Sequence, residues 1–145
     1  MQNLKNKVKT YFQNRFNVEE KFWNNRNFYE KGNSIWMASQ KVDQRKDSLA
    51  SGIRTLRYIG GKVKPTTYIL QILDEKIKKN IKRLNGKEAE ILILERKPIE
   101  ASFDPGYVAL KLEGKVIGCG LMNYQNELKT QISKNRTKEL QEILQ

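Results

Sequence analysis

Histidine is absent from this 145-residue chain, and cysteine occurs only once. Without histidine the chain has no imidazole for acid–base catalysis, no Ser-His-Asp or Cys-His nucleophile and no histidine-containing metal site. A single thiol, that of Cys119, forms neither an intramolecular disulfide nor a cysteine-rich zinc cluster. We therefore expect a protein that is not an enzyme, with no catalytic residue, no metal and no cofactor.

Long hydrophobic runs and a secretion signal are also missing. The longest apolar runs, such as Ile91 to Leu94, are far too short to cross a bilayer. The first thirty residues lack the basic, apolar and small-residue order of a signal peptide. Together with the single cysteine, these features predict a cytoplasmic protein in a reducing compartment, with no membrane partner.

Positive charge, in contrast, is abundant. The 28 Lys and Arg residues outnumber the 16 Asp and Glu residues and give a formal net charge of +12 at pH 7. The excess is uneven, since residues 1–64 hold 14 basic and 5 acidic side chains whereas residues 65–145 hold 14 and 11. A small basic domain attracts polyanions, and nucleic acid is the commonest polyanion inside a cell. A Lys-rich surface that only keeps the protein soluble is the alternative interpretation.

The first 48 residues predict a small α+β lobe that is rich in aromatic residues. Apolar residues recur at four-residue spacing from Leu4 to Phe16, which indicates an amphipathic helix over residues 3–15. A β-hairpin is expected where residues 28–30 and 34–38 flank Gly32. Eight of the 13 aromatic residues lie in this lobe. We expect them to form a core rather than a base-stacking platform, with Trp23 and Tyr29 the most exposed.

Residues 40–50 are polar and predict a linker or a short helix, and a strand over residues 53–59 follows. Pro65 is suited to the first position of the next helix, because its missing N–H is not needed there. Residues 81–95 fit either a hairpin closed at Asn85-Gly86 or a helix, and we favour the helix.

The C-terminal half contains the clearest hairpin, formed by the strand Tyr107–Leu112, a turn at Glu113-Gly114 and the strand Lys115–Leu121. Glycines inside the second of these strands, Gly118 and Gly120, indicate a bulge, a sharp bend or the close approach of another backbone. Cys119 between them is expected to be a buried small hydrophobe. Thr137 is predicted to cap a final helix.

Several of these segments, taken in order, resemble a known RNA-binding module. They are Ser51–Arg57 (SGIRTLR), Gly60–Thr66 (GGKVKPT), Gly106–Leu110 (GYVAL), Leu112–Gly120 (LEGKVIGCG), Leu128-Lys129 and Ser133–Arg136 (SKNR). The pattern is similar to the PUA-like RNA-binding domain at the C-terminus of Fmu/Sun/RsmF-type rRNA cytosine methyltransferases, and to its stand-alone ribosome-biogenesis relatives. The resemblance covers roughly residues 50–136. It implies a small mixed β-pseudobarrel with helices packed on it, and the binding of structured RNA.

The resemblance has two limits. Those methyltransferase domains usually have a proline before the Lys of the closing motif, whereas this chain has Ser133 before Lys134. The methyltransferase half and its Pro-Cys nucleophile motif do not precede the module, so we do not expect RNA methylation by this polypeptide alone. The expected organisation is therefore an N-terminal lobe over residues 1–48 and a PUA-like module over residues 49–145, both in an α+β fold.

The candidate RNA-binding residues are cationic or aromatic side chains in two stretches of the predicted module. Guanidinium groups bind phosphate bidentately and stack on exposed bases, and Lys supplies a flexible charge. In the fold that the resemblance implies, the two stretches could share one face. The candidates are Arg54, Arg57, Tyr58, Lys62, Lys64, Tyr124, Lys129, Lys134 and Arg136.

These observations predict a non-enzymatic RNA-binding protein that acts in rRNA or tRNA processing, modification or ribosome biogenesis. Its expected partners are rRNA or tRNA, together with a separately encoded RNA-modifying enzyme or a pre-ribosomal protein. One alternative is a protein-interaction adaptor that docks its partner through the aromatic N-terminal lobe. Another is a small enzyme or modified-base reader of the PUA superfamily, for which no acid–base pair stands out.

Overall fold

The computed structural model describes residues 3–38 and 52–144, and it separates the chain into two compact units. The first unit is Met1–Lys79 and the second is Asn80–Gln145. Each unit has helices and one sheet, so the expected α+β class is confirmed. The predicted linker or helix at residues 40–50 lies outside the described residues. No helix in the described ranges is long and apolar enough to cross a membrane.

The first unit begins with the predicted amphipathic helix, α1 (Leu4–Phe16). The side chain of Asn3 caps α1 by accepting a hydrogen bond from the Lys5 N–H at 3.0 Å. The helix ends at Asn17, which takes the left-handed conformation that a helix C-terminus favours. A short 3₁₀ turn, Glu20–Trp23, follows.

An aromatic core fills the space beneath α1. Phe12, Phe16 and Trp23 are fully buried, and the rings of Phe12 and Trp23 lie 5.3 Å apart. The expectation of an aromatic core is confirmed for these residues. The expectation that Trp23 is exposed was wrong, because the 3₁₀ turn directs its ring back onto α1. Tyr29 is partly exposed.

Four antiparallel strands complete the first unit, in the spatial order β1-β2-β3-β4. They are β1 (Asn27–Lys31), β2 (Ser34–Ala38), β3 (Gly52–Ile59) and β4 (Lys62–Pro65). The predicted hairpin between β1 and β2 is present, with Gly32 at φ +60° in its turn. Gly60 and Gly61, both at positive φ, form the turn between β3 and β4.

Helix α2 (Thr67–Leu73) follows β4 and begins after Pro65, not at it. Thr66 caps α2, its side-chain oxygen accepting from the Ile69 N–H at 3.2 Å. Pro65 instead ends β4, opposite Leu56 of β3. Proline is tolerated there because β4 is an edge strand, where a missing N–H leaves no neighbouring carbonyl unpaired. A 3₁₀ turn, Asp74–Lys76, follows α2.

The second unit is a curled five-stranded sheet in the order β5-β7-β8-β9-β6, and only its β5–β7 pair is parallel among the described strands. The strands are β5 (Ile81–Leu84), β6 (Ile99–Glu100), β7 (Gly106–Leu112), β8 (Lys115–Met122) and β9 (Glu127–Thr130). The β7–β8 hairpin matches the clearest hairpin of the sequence. One face of the sheet packs on a core that includes Leu92, Leu110 and Leu128.

Residues 81–95 contain both a strand and a helix. After β5, Asn85 opens α3 (Gly86–Ala89), which continues as a π-helical turn over Glu90–Leu94. The Asn85 side chain accepts from the Glu88 N–H at 2.8 Å, and the Glu88 carboxylate accepts from the Asn85 N–H at 3.1 Å. This capping box makes Asn85-Gly86 a helix start and not a hairpin turn. The preference for a helix over a hairpin is therefore confirmed.

The last helix, α4 (Lys134–Leu144), starts earlier than the sequence suggested. Ser133 caps it by accepting from the Arg136 N–H at 3.1 Å. Thr137 is not the cap: it lies buried inside the helix and accepts a hydrogen bond from Arg96 Nη1 at 2.8 Å. The prediction failed because Ser133 offers the same capping chemistry one turn earlier.

The division of the chain differs from the predicted boundary between residues 48 and 49. That boundary lies outside the described residues, and the structure divides the chain between Lys79 and Asn80. The physical reason is strand pairing. β2 precedes the predicted boundary and β3 follows it, yet the two strands pair from Ser34 to Ala38.

The two glycines of β8 have different surroundings. The β7–β8 register shifts after Leu110, which is opposite Gly118, and this leaves an irregularity in the strand. A Cβ at Gly120 would lie 2.8 Å from Leu128 Cδ1 and 3.0 Å from the Lys129 carbonyl oxygen. Close approach of β9 therefore requires glycine at position 120. Cys119 between them is buried, as expected.

We predict that Gly120→Ala lowers the free energy of unfolding by about 1–3 kcal/mol, because the methyl group overlaps β9. Gly86→Ala is the matched control. A Cβ there meets nothing within 4 Å, so we expect that variant to be neutral or stabilised by up to about 1 kcal/mol. Urea denaturation followed by circular dichroism measures both. Equal loss of stability in the two variants would contradict the packing explanation.

Candidate nucleic-acid interface

A β-bulge in β3 brings two of the predicted arginines to the same face of the first sheet. In a regular strand Arg54 and Arg57, three residues apart, point to opposite faces. Here Ile35 is opposite Leu56 and Trp36 is opposite Arg54, so Thr55 has no partner on β2. Thr55 is fully buried, and its hydroxyl donates to the Ile35 carbonyl oxygen at 2.8 Å. Because of this extra residue, the side chains of both arginines point to the same face of the sheet, where they are exposed.

A row of flat side chains crosses three strands on this face. Tyr29 is opposite Trp36, and their rings are nearly parallel, with centroids 6.3 Å apart. Trp36 is in turn opposite Arg54, whose guanidinium carbon lies 4.8 Å from the centroid of the Trp36 ring. Tyr29, Trp36 and Arg54 are called the aromatic–arginine row below.

Cationic side chains flank this row. Across the sheet, Lys31 is opposite Ser34, Ser34 is opposite Arg57, and Arg57 is opposite Lys64. Lys62 is opposite Ile59. By strand alternation, the described residues on this face include no Asp or Glu. The basic–aromatic face is defined here as Tyr29, Lys31, Trp36, Arg54, Arg57, Lys62 and Lys64.

A groove of about 450 Å³ lies on part of the basic–aromatic face. Arg54, Arg57 and Lys64 line it together with Trp36, and Tyr68 at the start of α2 has 63% of its surface exposed beside them. The other lining residues are Gly52, Ile53, Pro65, Thr66 and Thr67. Among the residues that the structure describes, the lining of the groove thus combines three cations with exposed aromatic surface and includes no carboxylate.

Tyr58, another predicted site residue, lies on the opposite side of the sheet. Its hydroxyl accepts a hydrogen bond from Lys7 Nζ at 3.1 Å and donates one to Glu30 Oε1 at 2.9 Å. The Lys7 ammonium also lies 4.4 Å from the centre of the Tyr58 ring. Tyr58 therefore joins α1 to β1 and β3 and does not face the groove.

The remaining predicted residues belong to the second unit, and one of them, Arg136, pairs with a carboxylate. Tyr124 is 91% exposed in the turn between β8 and β9, and Lys129 is exposed on β9. Lys134 and Arg136 begin α4, where Arg136 Nη1 pairs with Glu139 Oε2 at 2.5 Å. Of the nine candidates, Arg54, Arg57, Lys62 and Lys64 thus lie on one face of the first unit and Tyr58 lies on the other side of that sheet, while the remaining four belong to the second unit.

The charge of the two units follows the same division. Met1–Lys79 holds 17 Lys and Arg residues against 7 Asp and Glu residues, whereas Asn80–Gln145 holds 11 against 9. The first unit has a formal charge of +10 and the second of +2. A polyanion is therefore attracted mainly to the first unit.

Two titratable groups of the second unit have shifted pKa values, each for a structural reason. The hydrogen bond from Lys82 lowers the pKa of Glu88 below its ordinary value, and these groups form an ion pair at 2.8 Å. Burial raises the pKa of the Tyr107 phenol, with a smaller contribution from Cys119. The described residues contain no group of His, Cys, Asp or Glu that could hold a metal ion.

Sequence reasoning missed Trp36, Tyr68 and Lys31 as members of this surface. Alternation along β2 was the available signal for Trp36, because Ile35 and Met37 on either side of it are buried. Nothing in the sequence alone indicated that the Thr55 bulge would place Arg54 beside Trp36.

Comparison with protein-family models and with curated proteins found no match to this sequence.

We predict that Tyr58→Phe lowers the free energy of unfolding by about 0.5–1.5 kcal/mol, because it removes two hydrogen bonds from a partly buried cluster. The same variant is expected to bind an oligonucleotide as tightly as the unmodified protein, since the phenol points away from the groove. Urea denaturation and fluorescence anisotropy measure the two quantities. Weaker binding with unchanged stability would instead place Tyr58 in the interface.

Proposed function

We propose that this protein is a non-enzymatic RNA-binding protein and that RNA lies on the basic–aromatic face of its first unit. The observation that carries the proposal is the convergence of Arg54, Arg57, Lys62 and Lys64 with Trp36 on one face without a described carboxylate. Clustered cations bind phosphate, and releasing the condensed counterions supplies the affinity. Aromatic and guanidinium planes supply surfaces for bases.

The chemistry of the cations favours a nucleic acid over other polyanions. Arg57 and Lys64 are adjacent across β3 and β4, so they can bind neighbouring phosphates. A polyanion without bases gains nothing from the Tyr29–Trp36 pair, whereas RNA uses both the charge and the aromatic surface. The face is therefore better matched to RNA than to a phosphate-rich lipid or an acidic peptide.

The cellular process follows from the resemblance to the PUA-like module. That resemblance suggests rRNA or tRNA as the RNA, and processing, modification or ribosome biogenesis in the cytoplasm as its setting. In this proposal the protein holds its RNA for a separately encoded modifying enzyme or for a pre-ribosomal protein.

The adaptor alternative receives less support. It needs the aromatic residues of the N-terminal segment at the surface, and Phe12, Phe16 and Trp23 are fully buried. Tyr29 and Trp36 are two of the partly exposed aromatic residues of the hairpin strands, and both belong to the basic–aromatic face. A neutral protein surface would form no favourable charge interaction with the cations around them.

We predict that binding to an unstructured RNA 12-mer weakens with salt, with a slope of about −3.5 in log affinity against log salt if all five cations of the face meet phosphates. Replacing two of them in Arg57→Gln/Lys64→Gln keeps a polar side chain at each position and removes the charge. The slope should fall to about −2. Affinity near 100 mM salt should fall about tenfold or more, because charge-assisted hydrogen bonds are lost.

The matched control is Lys115→Ala/Lys138→Ala, which removes the same formal charge from exposed positions of the second unit. It should change neither the slope nor the affinity by more than about twofold. Fluorescence anisotropy at several salt concentrations gives both values. An affinity that salt does not alter, or equal losses in the two double variants, would contradict the assigned face. Tighter binding to a DNA 12-mer of the same sequence would contradict RNA as the ligand.

A further inference from the structure

We infer that the basic–aromatic face takes an unpaired RNA strand and holds it by stacking at least one base on the aromatic–arginine row. This inference rests on the proposed function and specifies the substrate class of the same site. It comes from the arrangement of side chains across the sheet, where flat side chains that can contact bases lie next to cations that can contact phosphates. A duplex can contact the cations but not the flat side chains.

The aromatic–arginine row occupies the inner part of the face. Trp36 is on β2, an inner strand, with Tyr29 on its β1 side and Arg54 on its β3 side. With strands about 4.8 Å apart, the row extends about 10 Å across the sheet. Its flat groups are held in place: the Trp36 indole N–H donates to the Lys31 carbonyl oxygen at 3.3 Å, and Arg54 lies against the ring. The ring is thus ordered before any ligand arrives.

The cations form a second row beside the first. Lys31 is two residues along β1 from Tyr29, and Arg57 is three residues along β3 from Arg54 across the bulge; each separation is about 7 Å. Lys64 is opposite Arg57 on the neighbouring strand. Ser34, a small and buried residue, lies between Lys31 and Arg57, so these two cations are at the sides, and Arg54 is the cation that lies over the Trp36 ring. A strand that places a base on the aromatic–arginine row thereby brings its phosphates close to Arg57 and Lys64.

Duplex RNA does not fit this arrangement. An A-form helix keeps its base faces stacked inside and presents only phosphates, 2′-hydroxyls and base edges. Against a duplex, Trp36 and Tyr29 would lie beneath the phosphates and would contribute no binding energy. Only the cations would then bind the duplex. An unpaired strand uses both rows, since every base has a flat face and stacking tolerates any sequence.

The decisive experiment compares three ligands of the unmodified protein at equal salt: an oligo-uridylate 12-mer, the same 12-mer with abasic sugars, and a 12-base-pair RNA duplex. We expect the uridylate strand to bind about 5- to 100-fold tighter than the abasic strand, which keeps the phosphates and lacks the bases. We also expect it to bind tighter than the duplex, although the duplex has the higher charge density. This comparison needs no variant and does not depend on a substitution folding correctly.

Two variants then assign the effect to the ring. Trp36→Leu keeps apolar bulk and removes the flat surface, so it should weaken binding of the uridylate strand by about 5- to 100-fold and leave the abasic strand unaffected. Trp36→Phe restores a π-face and should recover most of the affinity. Circular dichroism confirms that each variant is folded.

The possible failures are distinguishable. If the three ligands bind equally and Arg57→Gln/Lys64→Gln weakens all of them, the proposed function stands and the single-strand inference is overturned. If Trp36→Leu is folded and binds the uridylate strand normally, stacking on the aromatic–arginine row is overturned. If no RNA binds, the proposed function fails as well.

Discussion

A single buried hydrogen bond supports the arrangement of the candidate interface. The Thr55 hydroxyl donates to the Ile35 carbonyl oxygen across the bulge, and both residues are fully buried. This bond satisfies a carbonyl group that the extra residue would otherwise leave without a partner. With the bulge in place, Arg54 is beside Trp36 and Arg57 is beside Lys64. Without it, one of the two arginines would be directed into the core side of the sheet, where an unpaired charge is costly.

Much of the fold could be predicted from local sequence patterns. The periodicity of α1, the Gly32 turn and the β7–β8 hairpin depend on neighbouring residues, and the structure contains all three. The wrong predictions share one cause: two residues, or two kinds of structure, fit the same local sequence pattern equally well. Ser133 and Thr137 are both suitable caps, and only packing of α4 decides between them. Pro65 fits a helix start or an edge strand equally well until β4 is known to be at the edge.

The candidate site was less predictable because it depends on pairing between distant strands. Arg54, Arg57, Lys62 and Lys64 could be identified from charge alone, since they are close in sequence. Tyr58 was misplaced because alternation gives opposite faces to Tyr58 and Arg57, and its partner Lys7 is 51 residues away. Trp36 could not be assigned to the site without the β2–β3 register, which no local pattern contains.

The uneven charge described above also affects the protein before any ligand binds. A formal charge of +10 on 79 residues produces self-repulsion that opposes the compact state of the first unit, whereas the second unit, near neutrality, has little. Counterions screen this repulsion over about 10 Å at 0.1 M ionic strength. Ionic strength thus acts in opposite directions on the first unit: it stabilises the folded chain and would weaken the polyanion binding proposed above. A buffer of high ionic strength, chosen to preserve the isolated protein, is therefore the wrong one in which to test that proposal.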